Sequence, residues 1–178
     1  DTAGGNHNAI RVDWAPDAIV SDCQIGATDA TAIFVVDSPR ALIEGVSVSH
    51  AGSNGINVTR CNQGMVRNCQ TRDTASYGII LSASTRASIV GCTVTGAGRN
   101  GSTTSALRLS GAGADECWIT GCQVRPAGTG TETARAWSIE GGRSGNAVVN
   151  NDFRGFGNEA ASTQDNGSGT IKSGNLYA

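Results

Sequence analysis

Short segments of alternating apolar and polar residues recur along the chain at a fixed distance. Four copies align with an offset of 23 residues and no gap, and two longer copies follow. They read AIRVDWAPDAIVSDCQI from Ala9, AIFVVDSPRALIEGVSV from Ala32, GINVTRCNQGMVRNCQT from Gly55, GIILSASTRASIVGCTV from Gly78, ALRLSGAGADECWITGCQV from Ala106 and AWSIEGGRSGNAVVNNDF from Ala136. A fixed period in this range is typical of a solenoid, in which each repeat packs on its neighbours.

Two positions near the start of each copy are apolar throughout, while the residue between them varies in chemistry. The first position holds Ile10, Ile33, Ile56, Ile79, Leu107 and Trp137. The second holds Val12, Val35, Val58, Leu81, Leu109 and Ile139. The variable position holds Arg11, Phe34, Asn57, Ile80, Arg108 and Ser138. Apolar residues at every second position predict a strand with one buried face.

Two more apolar positions per copy predict a second and a third strand. The second strand points inward at Val20, Ile43, Val66, Ile89, Ile119 and Val148. The third points inward at Ile25, Val48, Thr71, Val94, Val124 and Phe153. Because the apolar period is two, these segments are not helices. Three short strands per repeat, stacked with parallel strands in neighbouring repeats, predict an all-β right-handed parallel β-helix of six to seven coils.

A corner is predicted between the second and third strands, where residues that tolerate a left-handed backbone stand in every copy. They are Asp22, Gly45, Asn68, Gly91, Gly121 and Asn150. The next position is predicted to face inward as a ladder, and it holds Cys23, Val46, Cys69, Cys92, Cys122 and Asn151. No CxxC pair occurs, so we expect the six cysteines to be free packing thiols and expect no metal site.

The segment from Gly78, with GI-x-L followed by S-I-V-G-C-T-V, resembles the repeat of right-handed parallel β-helix proteins of the pectin-lyase-like superfold, most of all phage tailspike-type segments. The resemblance extends from about Ala9 to Tyr177. That family commonly places an asparagine ladder at the corner, which this chain keeps only at Asn151. The resemblance implies the fold, whereas function varies among proteins that share it.

Domain organisation and the classes of partner follow from the repeat and the composition. We expect residues 9–178 to form one β-helix domain and residues 1–8 to be a linker or truncated end of a polypeptide that continues upstream. A formal charge of -2 argues against a nucleic-acid partner. No run of about 18 apolar residues is present, so no membrane span is expected. The glycine-rich runs open no helix, and no cofactor is expected.

Apolar residues at outward positions predict a covered surface. One column holds Ile19, Leu42, Met65 and Trp118, interrupted by Ser88 and Ala147, and another strand contributes Phe34, Val36 and Ile80. We expect one of these stripes to be the interface of a homotrimer, as in viral spikes of this fold. A loop that folds back over the same face is the alternative.

The function predicted from these features is glycan recognition by a phage or phage-like spike that binds bacterial surface polysaccharide. The chain would then face the host cell on a virion, with a secreted bacterial protein as the alternative. Free thiols agree with folding in a reducing cytoplasm. The residues expected to contact sugar are Trp14, Arg11, Asn57, Arg60 and Arg108 on the outer sheet, with Asn100 and Arg125 near the rim loops.

An enzyme, a polysaccharide lyase or glycoside hydrolase, is the second hypothesis, and its candidate catalytic carboxylates are Asp115, Glu116 and Glu140. Asp115 and Glu116 stand in the two-residue insertion of the fifth copy, and Glu140 could lie near them. The alternative for these residues is that they are solvated acids of a turn. A third hypothesis is a stiff rod segment that binds no ligand.

Overall fold

A computed structural model describes residues 7–99, 104–126, 135–156 and 163–177, and over these residues the chain is a stack of parallel strands without helix. Nineteen strands, numbered in chain order, form three sheets. Sheet A contains β1 (Ile10–Asp13), β4 (Ile33–Val36), β7 (Ile56–Thr59), β10 (Ile79–Ser82), β13 (Ser105–Ser110), β16 (Arg135–Ile139) and β18 (Thr163–Asp165). Sheet B contains β2 (Ile19–Ser21), β5 (Leu42–Glu44), β8 (Met65–Arg67), β11 (Ser88–Val90), β14 (Trp118–Thr120), β17 (Ala147–Val149) and β19 (Ile171–Ser173). Sheet C contains β3 (Gln24–Ile25), β6 (Ser47–Ser49), β9 (Gln70–Arg72), β12 (Thr93–Thr95) and β15 (Gln123–Arg125).

The predicted parallel β-helix is confirmed, and its register is the one given by the repeat. Ile10 pairs with Ile33, Ile33 with Ile56 and Ile56 with Ile79. The pairing continues across the longer repeats, to Leu107 and then to Trp137. Sheets A and B each have seven strands, so the described part of the chain makes seven coils. Each predicted inward column therefore becomes a row of stacked side chains in one continuous core.

The predicted corner is also confirmed, and the described residues have three further columns of positive φ that the repeat did not indicate, one of them after sheet C at His50, Asp73 and Gly96. The predicted column has φ between 52° and 64° in Asp22, Gly45, Asn68, Gly91, Gly121 and Asn150. Between sheets A and B, φ is likewise positive in Trp14, Asp37, Arg60 and Ala83, and in Asp17, Arg40, Gln63, Arg86 and Glu116. A left-handed conformation costs an ordinary residue free energy. Hydrogen bonds from coil to coil, such as Trp14 N–H to Val36 O at 3.2 Å, offset that cost.

Cysteine and asparagine can replace each other at the inner corner because both side chains donate to the backbone carbonyl at the equivalent position of the preceding coil. The Cys122 thiol donates to Ile89 O, one coil earlier, at 3.7 Å. The Asn151 amide occupies the next rung and donates to Ile119 O at 3.0 Å. Five of the six cysteines are buried, Cys23 is half-buried, and all six are free, as predicted.

Cys61 and Cys117 lie outside this ladder, on the side of the core near the turns between sheets A and B. The Cys117 thiol donates to Ser84 O at 2.9 Å, and the Cys61 N–H donates to Ser84 Oγ at 2.9 Å. Burial raises the pKa of Cys61 and raises that of Cys117 to about 11. These thiols therefore stay protonated near neutral pH and act as packing groups.

The seventh coil closes the apolar core with polar residues at inward positions. By register, Thr163 and Asp165 follow the core residues of sheet A, and Lys172 follows Val148 of sheet B. Lys172 Nζ lies 3.6 Å from Asp165 Oδ2. Inward-pointing charges prevent uncontrolled stacking on an open sheet edge, so this coil ends the apolar column. Among the described residues, no helix is long and apolar enough to cross a membrane.

Candidate functional site

The outer face of sheet A carries an open groove over the first three coils. Its floor is the variable column of the repeat, in which Arg11, Phe34 and Asn57 pair in register on β1, β4 and β7. The groove has a volume of about 370 Å³. Its lining residues are Asn8, Arg11, Ala30, Thr31, Phe34, Ser53 and Asn57. The structure thus brings together two of the predicted sugar-contacting residues, Arg11 and Asn57.

Arg11 is held over an aromatic ring on the floor of the groove. Its Nε donates to Asp13 Oδ2 at 2.7 Å, two residues along the same strand. Its guanidinium carbon lies 5.3 Å from the centre of the Phe34 ring, a cation–π distance. Among the described residues, no hydrogen bond engages the two terminal nitrogens of Arg11. The site therefore offers an oriented donor fork beside a half-buried aromatic face.

Amide side chains form the rest of the groove and fix the loop beside it. Asn57 Oδ1 accepts a hydrogen bond from Thr59 Oγ1 at 2.9 Å, and no described residue accepts a hydrogen bond from the Asn57 amide nitrogen. Asn54 donates to Thr31 Oγ1 and accepts from the Tyr77 N–H, both at 3.3 Å. These two bonds tie three successive loops together. The wall of the groove is thereby positioned before any ligand arrives.

The same face of sheet A changes character beyond the third coil. Ile80, next in the column, is buried, and Arg108 follows it in β13. Arg108 donates to the Tyr77 hydroxyl and to Glu140 Oε1, and its guanidinium carbon lies 4.6 Å from the centre of the Tyr77 ring. Glu140 Oε2 also accepts from the Gly111 N–H at 2.9 Å. That N–H and the Arg108 guanidinium lower the pKa of Glu140, so its carboxyl group is held ionised.

Two other predicted sugar contacts lie elsewhere than expected. Trp14 and Arg60 were predicted on the outer sheet, but both stand at the corner that follows their strands. The prediction of their position is wrong because their φ angles are positive and the strand ends before them. Trp14 is 76% exposed, whereas Arg60 makes a bidentate ion pair with Asp37 at 2.6–2.7 Å.

The remaining predicted contacts are the two rim residues. Arg125 donates to the backbone and carboxylate of Asp152. Arg154 binds the same carboxylate, and the two guanidinium groups hold the pKa of Asp152 well below its ordinary value. Asn100 lies outside the described residues. Of the two rim residues predicted to contact sugar, only Arg125 lies within the described residues, and its guanidinium group already pairs with a carboxylate.

The three predicted catalytic carboxylates have separate partners. Asp115 accepts from the Ser144 N–H at 2.7 Å, and Glu116 accepts from Arg86 Nε at 2.7 Å. Glu140 is held by Arg108 and Gly111, as described above. No hydrogen bond among the described residues connects Glu140 to Asp115 or Glu116, and the described part of the chain contains no cluster of three potential metal ligands. These contacts favour structural roles, and catalysis by the three carboxylates stays a prediction.

Sheet B carries the first predicted apolar stripe, and the column continues past the buried Ala147 to the seventh coil, two coils beyond Trp118. Ile19 is 69% exposed, Trp118 is 51% exposed, and Leu42 and Met65 are half-buried. Ile171, which falls in the same column, is 60% exposed. The second predicted stripe is wrong as an exposed surface, because Val36 and Ile80 are buried and only Phe34 remains partly accessible.

The comparisons with known proteins agree with this architecture. The family model for the right-handed β-helix region matches residues 8–177, which is nearly the whole chain. A search of curated proteins found no match. The chain therefore belongs to the right-handed β-helix region family.

Proposed function

We propose that this chain is a glycan-recognising β-helix of a phage or phage-like spike, and that the groove on the first three coils binds bacterial surface polysaccharide. The observation that carries the proposal is the in-register set of Arg11, Phe34 and Asn57 on one open face. An aromatic ring packs against the apolar face of a sugar ring, while amide and guanidinium groups bond its hydroxyl or carboxylate oxygens. Such a combination is typical of sites that bind polar ligands with an apolar side.

The dimensions of the groove suit a short stretch of a linear glycan. Arg11 and Asn57 are two strands apart, which corresponds to about 9.6 Å at the usual strand spacing. The floor is part of a parallel sheet, so binding orders few protein groups and costs little conformational entropy. Free thiols throughout the core agree with folding in a reducing cytoplasm before release, as a virion component requires. A secreted bacterial glycan-binding protein is the alternative location.

Replacing Phe34 by alanine should weaken glycan binding at least tenfold, because the aromatic floor and its contact with Arg11 are both lost. The measurement is an array of bacterial surface polysaccharides, followed by titration calorimetry on the glycans that bind. Leu176→Ala, an exposed apolar residue of the seventh coil outside the sheet B column, is the matched control and should bind as the unmodified protein does. No binding to any polysaccharide on the array, or equal affinity of both variants, would contradict the proposal.

We also propose that the spike is a homotrimer that buries the outward column of sheet B. Ile19, Trp118 and Ile171 expose apolar surface along one line of the molecule, and such stripes mark association surfaces. Sedimentation at micromolar concentration should give the mass of three chains. Trp118→Arg should give a single chain, whereas Gln164→Arg on sheet A should leave the assembly intact. A single chain in the unmodified protein would exclude this interface.

A further inference from the structure

The outer face of sheet C has a polar column whose side chains alternate in length from coil to coil. The column pairs in register through β3, β6, β9, β12 and β15. Its members are Gln24, Ser47, Gln70, Thr93 and Gln123. The three glutamines are exposed, and the two short hydroxyl residues between them are only partly so. The long amide side chains on coils one, three and five thus project farther from the sheet than Ser47 and Thr93 on coils two and four, which leave a notch between each pair of glutamines.

The neighbouring outward column on the same sheet follows the same alternation. Ser49 and Thr95 are short, and Arg72 and Arg125, on the coils between and after them, are long. The face therefore repeats every two coils rather than every coil. At the usual strand spacing this repeat is about 9.6 Å. A surface with that period fits a ligand with the same period, because each repeat of the ligand then meets the same groups.

The hydrogen-bonding capacity of the glutamine column is unused. On the other surfaces, arginines and acids pair across coils, as in Asp17 with Arg40 and Glu44 with Arg67. Arg125 at the edge of sheet C is likewise held by Asp152. By contrast, no described residue forms a hydrogen bond or ion pair with the side chains of the column from Gln24 to Gln123. The column is uncharged and offers both donors and acceptors.

We infer that the outer face of sheet C binds a neutral, extended polysaccharide that lies along the β-helix axis and repeats every two sugars. Two pyranose rings of an extended β-1,4-linked chain are about as long as two coils. The glutamine amides then meet the same hydroxyl groups on every second ring, and the serine and threonine notches admit the ring between them. This surface shares with the proposed function only the ligand class, and it is separate from the groove on sheet A.

Matching repeats also determine how affinity depends on ligand length. Each added disaccharide engages one more glutamine without a new loss of overall motion, so affinity rises steeply until the five coils are covered. A glycan that curves, such as an α-1,4-linked glucan, loses the match after one repeat. A charged glycan gains nothing from the uncharged column, and the two arginines of the neighbouring column, Arg72 and Arg125, each already lie beside a carboxylate, Asp73 and Asp152. The surface therefore selects for straight and neutral chains.

Titration calorimetry with hexasaccharides tests this inference. The probes are β-1,4-linked hexamers of glucose and of N-acetylglucosamine, maltohexaose as the curved control and hexagalacturonate as the charged control. We expect a β-1,4-linked hexamer to bind at least tenfold more tightly than its tetramer and than either control. The triple variant Q24A/Q70A/Q123A should lose at least tenfold in affinity, whereas Gln164→Ala on sheet A should lose none.

The outcomes separate this inference from the proposed function. If the triple variant loses the neutral hexamer and Phe34→Ala keeps it, sheet C is the binding face. If Phe34→Ala loses every glycan and the triple variant loses none, the groove on sheet A stands and the inference fails. Absence of binding of both β-1,4-linked hexamers to the unmodified protein at millimolar concentration also overturns it. Circular dichroism of each variant verifies that the fold is retained.

Discussion

Replacing Trp137 by alanine should lower the free energy of unfolding by about 3–5 kcal/mol, the usual cost of truncating a buried aromatic residue. Trp137 is fully buried in the sixth coil, in the inward column of sheet A between Leu107 and Thr163. Its indole N–H donates to the Tyr177 hydroxyl at 3.3 Å, so the substitution also removes a link to the seventh coil. The other inward residues of this column are smaller, and a rigid stack of strands cannot collapse onto the space that is left.

Urea unfolding followed by circular dichroism measures this effect. Trp118→Ala is the matched control, because Trp118 points outward from sheet B and is half exposed. Its replacement should change the free energy of unfolding by no more than about 1 kcal/mol, measured at a concentration at which the chain is monomeric. Equal losses in the two variants would mean that Trp137 does not face the core.

The sequence was sufficient to predict the inward columns because each position is seen in six copies, so an atypical residue in one copy does not hide the pattern. Ile33, Ile56 and Ile79 occupy one column whatever surrounds them, and the structure pairs them in register. Glycine and asparagine at the predicted corner likewise have the positive φ angles expected of them. The cysteine ladder was predicted for the same reason, since small side chains recur after that corner. These features depend on nearest-neighbour stacking, which the period itself encodes.

The other corners were missed because their residues are poor predictors of a left-handed backbone. Trp14, Arg40 and Arg86 adopt it although nothing in their chemistry favours it. Hydrogen bonds from the adjacent coil impose this conformation, as at Arg40, whose N–H donates to Asn62 O at 2.9 Å. A tertiary contact therefore overrides the local preference. No pattern of residue types within one repeat reports such a contact.

One of the arginines predicted to contact ligand, Arg60, is paired with an acid one repeat away, and its contact with sugar stays a prediction. Asp37 precedes Arg60 by 23 residues, and the two form a bidentate ion pair. Asp17 and Arg40 have the same offset and the same geometry. Within a solenoid, charges at the repeat distance stand side by side, so this signal was present in the sequence. Arg108 and Glu140 are 32 residues apart, and the longer loops hide their pairing.

Replacing Gly78 by alanine should lower the free energy of unfolding by about 1–3 kcal/mol, although the repeat alone predicts a neutral change. Four of the six copies begin with alanine at this position, at residues 9, 32, 106 and 136. In the structure, a Cβ on Gly78 would overlap Val94 Cγ1 and would lie 2.9 Å from Ala106 O. The carbonyl belongs to the backbone of the next coil and cannot move without disturbing the stack of strands.

Gly26→Ala is the matched control, because a Cβ there meets nothing within 4 Å. Its stability should be unchanged or slightly increased, since alanine restricts the unfolded chain more than glycine does. Urea unfolding of both variants shows whether the residue types found in the other repeats, or the packing around each glycine, predict the effect of alanine on stability. Unchanged stability of Gly78→Ala would mean that Val94 and the next coil adjust freely, and that the core between the fourth and fifth coils is looser than its packing indicates. A loss confined to Gly78→Ala would show that stacking on a neighbouring coil, rather than the consensus residue, determines which side chain each position accepts.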